Sequence, residues 1–391
     1  MEVKQIYELM NTVTDEILGK DKDGNPQIIV NEDLSNVVDI GTAIFNNTDV
    51  DNYCKTLLNH IGKVIFVNRP YSGNIPSVLM DSWEFGSVLE KVTADMPDAT
   101  ENETWELTDG ASYDPNIFYK PTVSAKFYNK RVTFEVPVSI TDKQVKESFN
   151  NATQLNGFIS MIYNAVDKSM TVKIDSLVMR TINSMIGETI KADYGSALLS
   201  SKSGVKAINV LYLYNQKFNK SLTADDCDTD PDFIRFLAYE MGMTASRLTK
   251  LSRLYNIEGK DRFTPSDLLH VVMLSNIKKA CAVYLQSDTF HKDLVALPNG
   301  GEEVPYWQGS GSSYAFDDVS KIDIKTPSGD TVQTSGILAV MFDRDALGVC
   351  CEKRYVTTNY NPKAEFTNNW FKFECGTFAD KGENFVVFFV A

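Results

Sequence analysis

Few stretches of this 391-residue chain place reactive side chains at the spacing that chemistry needs. Asp21, Asp23 and Asn25 stand at the first, third and fifth positions of a calcium-type loop, with Glu32 at the twelfth. The sixth position of such a loop needs glycine for its sharp turn, and Pro26, whose φ is locked negative, stands there instead. The segment Asp21–Glu32 therefore reads as an acidic turn. Gly309-Ser310-Gly311-Ser312-Ser313 has the small residues of a phosphate cradle but lacks the third glycine and the following lysine. It reads as a flexible loop. Asp343, Asp345 and Glu352 follow the apolar run Ile337–Phe342, where carboxylates of α/β enzymes often act. Asp343 suits equally well the capping of a short helix through Leu347, and that is the reading adopted. His60 and His270 lie beside apolar faces and read as locally hydrogen-bonded side chains, while His291 is the most available histidine but has no nucleophile or ligand companion. The expectation is no catalytic residue, no cofactor-binding residue and no metal ligand.

The six cysteines, at 54, 227, 281, 350, 351 and 375, form no C-x-x-C pair. Cys350 and Cys351 are adjacent, so on a strand they point to opposite sides, which is poor geometry for one tetrahedral metal. They are expected to be reduced, mostly buried thiols of a cytoplasmic protein.

Charge narrows the function classes further. With 38 Lys and Arg against 52 Asp and Glu, the formal net charge is −14. Cationic pieces such as Lys130-Arg131 and Lys278-Lys279 are pairs, too short to make the basic face that phosphate neutralisation requires. Sequence-specific DNA binding is therefore not expected. An apolar content of 43%, with 22 Phe, 17 Tyr and 4 Trp, is too high for a disordered chain. No window approaches 18 uninterrupted apolar residues, and the amino terminus carries no secretion signal.

The elements that would carry these residues follow from periodicity. Residues 3–18 and 50–61 have helical apolar spacing, and Val64–Val67 is a short buried strand. The acidic, turn-rich stretch Asp95–Asp114 precedes two alternating runs, Val123/Ala125/Phe127 and Val132/Phe134/Val136/Val138. Asn129-Lys130 between them predicts a tight hairpin. Two strands with an acidic tip bury too little to stand alone and must lie on something else. Thr141 and Gln144 have the spacing of a capping box opening a helix to Phe149. Then Phe158, Ile162, Val166, Met170, Ile174, Val178, Ile182, Ile186 and Ile190 recur every fourth residue, predicting one helix of about 50 Å. A step of four overshoots the helical turn, so this stripe winds around the helix and suits successive partners along its length. Gly187 and Gly195 are expected to loosen its end. Further on, helix is predicted over Pro231–Leu254 and from Ser275 to Leu285. Strands are predicted at His270–Leu274 and Ile337–Phe342, a hairpin at Ile322/Ile324 with Thr331–Thr334, and closing strands at Trp370–Cys375 and Phe385–Val390.

Several runs resemble those of a known family. Phe134-Glu135-Val136-Pro137-Val138-Ser139-Ile140-Thr141 resembles the strand-into-helix junction where an extended loop returns. Thr264-Pro265-Ser266-Asp267-Leu268-Leu269-His270-Val271-Val272 resembles part of an axial domain. Ile337–Val349, Tyr360-Asn361-Pro362 and Glu383–Phe388 are similar to carboxy-terminal runs of capsid proteins from phages of Gram-positive hosts. Together with the order of parts, they resemble the major capsid protein of tailed bacteriophages, whose fold is named after phage Hong Kong 97.

The resemblance implies an α+β chain. Its parts would be an N-terminal arm and helix (1–69), an extended β-hairpin loop (70–140), a peripheral domain with a long spine helix (141–204), an α/β axial domain (205–355) and C-terminal return strands (356–391). It implies self-assembly into pentamers and hexamers of an icosahedral shell enclosing double-stranded DNA, the packaged DNA being met by non-specific proximity only; the alternatives are an encapsulin-like compartment shell of the same fold and, from another class, an α/β enzyme with an inserted hairpin. The implied place is the virion capsid, assembled in the host bacterial cytoplasm, with no membrane partner. Members with a built-in scaffold carry a long charged N-terminal extension. Here the arm-like region begins almost at Met1, so a separate scaffolding protein and a portal are the expected partners. Lys91, Lys120, Lys126 and Lys130 fall in the loop, and no covalent cross-link is assigned to them.

Overall fold

Periodic patterns become elements over the residues that the structure, a computed structural model, describes. These are residues 10–13, 75–79, 89–94, 106–120, 123–150, 152–286, 301–308, 313–326 and 329–391, with single positions at 36, 38, 39, 42, 56, 99 and 101. Residues 10–13 are helical. The rest of the expected helices 3–18 and 50–61 lies outside the described residues, apart from Thr56. So do the strand Val64–Val67, the turn Asp21–Glu32, Cys54, His60, His291 and residues 309–312.

In chain order the strands and helices are β1 (Leu89–Ala94), β2 (Val123–Tyr128), β3 (Arg131–Thr141), α1 (Asp142–Ser148), α2 (Ala152–Tyr194), β4 (Ala207–Asn209), α3 (Val210–Phe218), α4 (Pro231–Leu248), β5 (Leu269–Leu274) and α5 (Ser275–Gln286). There follow β6 (Glu302–Val304), α6 (Phe316–Val319), β7 (Ile322–Lys325), β8 (Thr331–Thr334), β9 (Ile337–Asp343), β10 (Leu347–Asn361), β11 (Phe366–Ala379) and β12 (Phe385–Phe389). The chain divides into two compact units. One comprises Met1–Ser82, Arg131–Arg180 and Val349–Gly376; the other comprises Trp83–Lys130, Thr181–Gly348 and Thr377–Ala391. Among the described residues no helix is long and apolar enough to cross a membrane.

The first unit is built on the sheet β10-β11-β3, in which β3 runs antiparallel to β11 from Arg131↔Gly376 to Thr141↔Phe366. Alternation along β11 buries Thr367, Asn369, Phe371, Phe373 and Cys375 on one face, as a half-covered strand requires. Phe134 meets Phe373 across the pair at 5.2 Å between ring centroids. The capping box forms as the sequence predicts. The Gln144 amide donates to Thr141 Oγ1 at 3.3 Å and the Thr141 amide donates to Gln144 Oε1 at 3.0 Å. Such a cap contributes about 1 kcal/mol. One expectation fails here: Cys351 and Cys375 are joined in a disulfide, not held as two thiols. The two residues lie 24 apart in sequence, and only strand pairing brings their Cα atoms to 4.1 Å, a proximity that spacing alone does not encode.

Helix α2 is longer than the stripe that announces it. Its 43 residues rise about 65 Å at 1.5 Å per residue. Ile162, Val166, Met170, Ile174, Val178, Ile182, Ile186 and Ile190 are all buried, whereas Phe158 is half-buried and Leu155 and Ile159 are buried beside it. The two glycines act differently from the expectation. Gly187 sits inside the helix, where a Cβ would lie 2.7 Å from Ile324 Cδ1; its bareness lets β7 approach closely. Gly195 takes φ +57° and ends the helix, its amide donating to Lys191 O at 2.8 Å.

The second unit holds a five-stranded sheet of order β4-β12-β9-β5-β6. Its three inner strands are antiparallel, with Val387↔Val340 and Val271↔Met341 in register, and β4 and β6 join in parallel at the edges. Every residue of β9 and β12 is buried, which explains why both read as unbroken apolar runs. Strands β7 and β8 form the predicted hairpin, with Ile324 opposite Val332. Helix α4 starts as foreseen, with Asp230 accepting from the Phe233 amide at 2.9 Å ahead of Pro231. It ends at Leu248, short of the expected Leu254, and Leu251 and Leu254 are exposed beyond it.

The expected hairpin at Asn129-Lys130 is also corrected. Strand β2 pairs with β1, from Leu89↔Tyr128 to Ala94↔Val123, while β3 pairs with β11. A two-residue turn of the required kind needs positive φ at its centre, and the described non-glycine residues with positive φ are Asn219 and Glu365. Asn129 and Lys130 thus link two sheets, and the real hairpin closes through the long stretch between β1 and β2.

Candidate assembly surface

The β1–β2 ribbon has an inverted alternation. Its outward face carries Val92 opposite Ala125, Ala94 opposite Val123 and Glu90 opposite Phe127, all exposed. Val92 and Phe127 are 60% and 64% accessible. The inward face carries Lys91 opposite Lys126 and Thr93 opposite Ser124, all half-buried, with the two hydroxyl groups 2.9 Å apart. A ribbon folded for its own benefit would turn these faces the other way.

Charge holds the inward face. Lys91 Nζ lies 2.9 Å from Asp380 Oδ2 and 2.8 Å from Glu383 Oε1, and it donates to Asp345 O at 3.3 Å. Lys126 Nζ lies 2.6 Å from both Asp380 Oδ1 and Glu258 Oε2. Arg262 Nε reaches Glu383 Oε1 at 3.2 Å. Three cations thus face three carboxylates across the root of the ribbon. The turn between β11 and β12 positions two of the acids. The Asp380 amide donates to Ala346 O at 2.8 Å, and Asp380 Oδ1 accepts from the Gly382 amide at 2.9 Å. A Cβ at Gly382 would stand 2.9 Å from both Lys126 Nζ and Glu258 Oε2, so glycine leaves room for the cluster.

The electrostatics follow from this geometry. Burial disfavours the Asp380 carboxylate, yet hydrogen bonds from Lys126, Lys91 and the Gly382 amide more than offset it, and its pKa falls to about 2. Burial pulls both lysines down, and their carboxylate partners still leave them above the ordinary lysine value. Tyr128, packed 5.5 Å from Phe378, is pushed well above the usual tyrosine range by burial and then by Asp380. Each lysine here is a firmly protonated ion-pair partner and a poor nucleophile.

Beyond the ribbon, residues 106–120 are all exposed and form no strand or helix. Their contacts are local: the Thr108 amide donates to Tyr113 Oη at 3.1 Å and the Asn116 amide to Asp114 Oδ1 at 2.9 Å. Phe118 and Tyr119 are each 83% accessible, with Leu107, Tyr113 and Ile117 exposed nearby. Together with the outward ribbon face they make an apolar surface of the kind that marks interaction sites.

Among the described residues, the enzyme-like candidates stand apart from one another. Asp343 is buried and caps the turn Arg344–Ala346, as expected. Its Oδ1 accepts from the Asp345 amide at 2.9 Å and its Oδ2 from the Thr264 hydroxyl at 2.7 Å. Asp345 is exposed. His270 lines an open groove with Ser266, Asp267 and Glu302; burial first, and Arg344 besides, lower its pKa, and its Nε2 lacks a hydrogen-bond partner. Lys120 and Lys130 are exposed. Among the described residues no group of three or more His, Cys, Asp and Glu side chains has metal-binding geometry. The residues that sequence reasoning missed are Glu258, Arg262, Asp380 and Glu383. The available signal was the polar alternate positions Lys91/Thr93 and Ser124/Lys126, which mark a polar face whose lysines must find acids.

Comparison with solved structures finds similarity to the capsid structure of Staphylococcus phage Andhra, at TM-score 0.49 and 10% identity over 83% of this chain and 86% of that one. A chain in the structure of the head fiber and inner core protein gp22 of native bacteriophage P68 is similar at TM-score 0.49 and 9% identity, over 83% and 86%. The capsid structure of the Cyanophage P-SCSP1u is similar at TM-score 0.40 and 10% identity, over 80% and 85%. No curated protein matches. The model of the Phi29-like phage major capsid protein matches residues 10–389, nearly the whole chain. The outward-facing apolar ribbon therefore sits in a protein that belongs to the Phi29-like phage major capsid protein family.

Proposed function

We propose that this major capsid protein works by self-assembly and not by catalysis, forming pentamers and hexamers of an icosahedral shell around double-stranded DNA. In this reading residues 70–140 are the extended loop, 141–204 the spine and its surroundings, 205–355 the axial domain and 356–391 the return strands of a Hong Kong 97-like subunit. The observation that carries it is the ribbon with its apolar face outward and its polar face clasped to its own unit. Such a face is costly in water and stable once covered by a neighbouring copy. Net charge of −14 lets the inner wall lie near DNA without gripping it. A separate scaffolding protein and a portal complete the proposed partners, and assembly takes place in the host bacterial cytoplasm.

Negative-stain microscopy of the purified protein tests this reading. Closed shells, or rings of five or six subunits, are the expected result. A persistent monomer under assembly conditions, with scaffolding protein supplied, overturns it.

A further inference from the structure

The Cys351–Cys375 disulfide has no part in the clasp or the apolar surface, and it sits oddly in a shell protein that folds inside a reducing cell. We propose that this pair is a dithiol when the subunit folds and assembles, and that it closes only after the particle leaves the cytoplasm, as a covalent staple added to a finished shell. The inference rests on the assembly reading above.

Three observations carry it. First, β10 and β11 are consecutive strands of one sheet, joined by the short turn 362–365, so their backbone ladder forms without the bond. Second, the two cysteines differ in exposure: Cys375 is fully buried and Cys351 is half-buried, so Cys351 is the more accessible of the pair. Cys350, next in the chain, is buried and lies outside the bond. Third, Cys227 and Cys281 are buried and belong to no disulfide among the described residues, so a small oxidant has no exposed sulfur to reach there and no bonded cysteine to resolve the product.

The chemistry is two-step exchange with a low-molecular-weight disulfide. The Cys351 thiolate attacks one sulfur of the small disulfide; that bond breaks, a first small thiol leaves, and Cys351 is held as a mixed disulfide. The Cys375 thiolate then attacks the Cys351 sulfur, the protein disulfide forms, and the second small thiol leaves. The protein loses two electrons and two protons, and the small disulfide becomes two thiols.

The test is thiol counting by mass. Particles are alkylated with iodoacetamide inside intact cells, and a second sample is alkylated after lysis and incubation with oxidised glutathione; both are then denatured with the alkylator present. Near-complete labelling of Cys351 and Cys375 in the first sample and near-zero labelling in the second is the expected result, with Cys227, Cys281 and Cys350 labelled in both. A disulfide already present in the cell-quenched sample overturns the timing, and persistent labelling after oxidised glutathione overturns the staple. In C375S, Cys351 is expected to retain a mixed disulfide with glutathione; its absence overturns Cys351 as the first sulfur attacked. Labelling reads the thiols in any oligomeric state, so a protein that fails to form rings or shells refutes the assembly reading without deciding this one.

Discussion

The root and the far end of the loop are made of opposite materials. At the root, Lys91 and Lys126 are enclosed by Asp380, Glu258 and Glu383 at 2.6–2.9 Å, and the ribbon is fastened to its own unit by charge. Toward the far end, Phe118 and Tyr119 stand 83% accessible with only local hydrogen bonds around them. The root is clasped by side chains distant in sequence, whereas the bonds described around residues 106–120 are local. Exposed apolar area of this kind gains most when a partner covers it.

The contrast can be broken, starting from the body that the loop is fastened to. Val178→Asp puts a charge at a position that is 1% exposed, and is expected to destabilise the folded chain by about 4 kcal/mol, read by chemical denaturation. An unchanged midpoint would show that the stripe is not buried there. Asp380→Ala comes next. It leaves two lysines without their shared carboxylate, and the expected cost is about 2–3 kcal/mol, with faster hydrogen exchange in β1 and β2. Equal exchange in wild type and variant would remove the clasp from the account. Acid gives a smaller, graded version of the same loss. The Asp380 pKa lies below the ordinary aspartate value of 3.8, so its contribution is fully present above that value and fades as pH falls through about 2. The wild-type midpoint should drop between pH 4 and pH 2 by more than that of Asp380→Asn; parallel drops would contradict the assignment. Smallest in stability is the double change Phe118→Ser with Tyr119→Ser. Two exposed rings contribute within about 0.5 kcal/mol to the isolated subunit, but their loss should impair shell formation by microscopy. A stability loss as large as that of Asp380→Ala would mean that the far end packs on its own chain.

What the sequence made legible follows from where the determinants lie. The capping box at Thr141 and Gln144, the step-of-four stripe of α2 and the apolar runs of β9 and β12 are local patterns, and the structure has each of them. The capping role of Asp343 was also readable, because an Asp before a short helical turn is a good cap. The rest depends on residues distant in the chain. Asn129-Lys130 looked like a hairpin turn because two alternating runs flank it, but β3 gains a longer partner in β11, more than 220 residues on. Cys351 and Cys375 meet only through β-pairing, and Lys91 meets Asp380 only because β1 lies near the turn between β11 and β12. Gly187 was read as a weakness in a helix and is a close-contact point for Ile324, which no helical periodicity can announce.

The ionic root has a thermodynamic consequence. Exposure of apolar area raises heat capacity and exposure of polar area lowers it. Parting Lys91 and Lys126 from Asp380, Glu258 and Glu383 wets charged groups, which offsets the apolar area uncovered where Tyr128 leaves Phe378. A swing of the ribbon about its base would therefore leave a small or negative heat-capacity step, silent in a calorimetric scan that registers the melting of the strands beneath it.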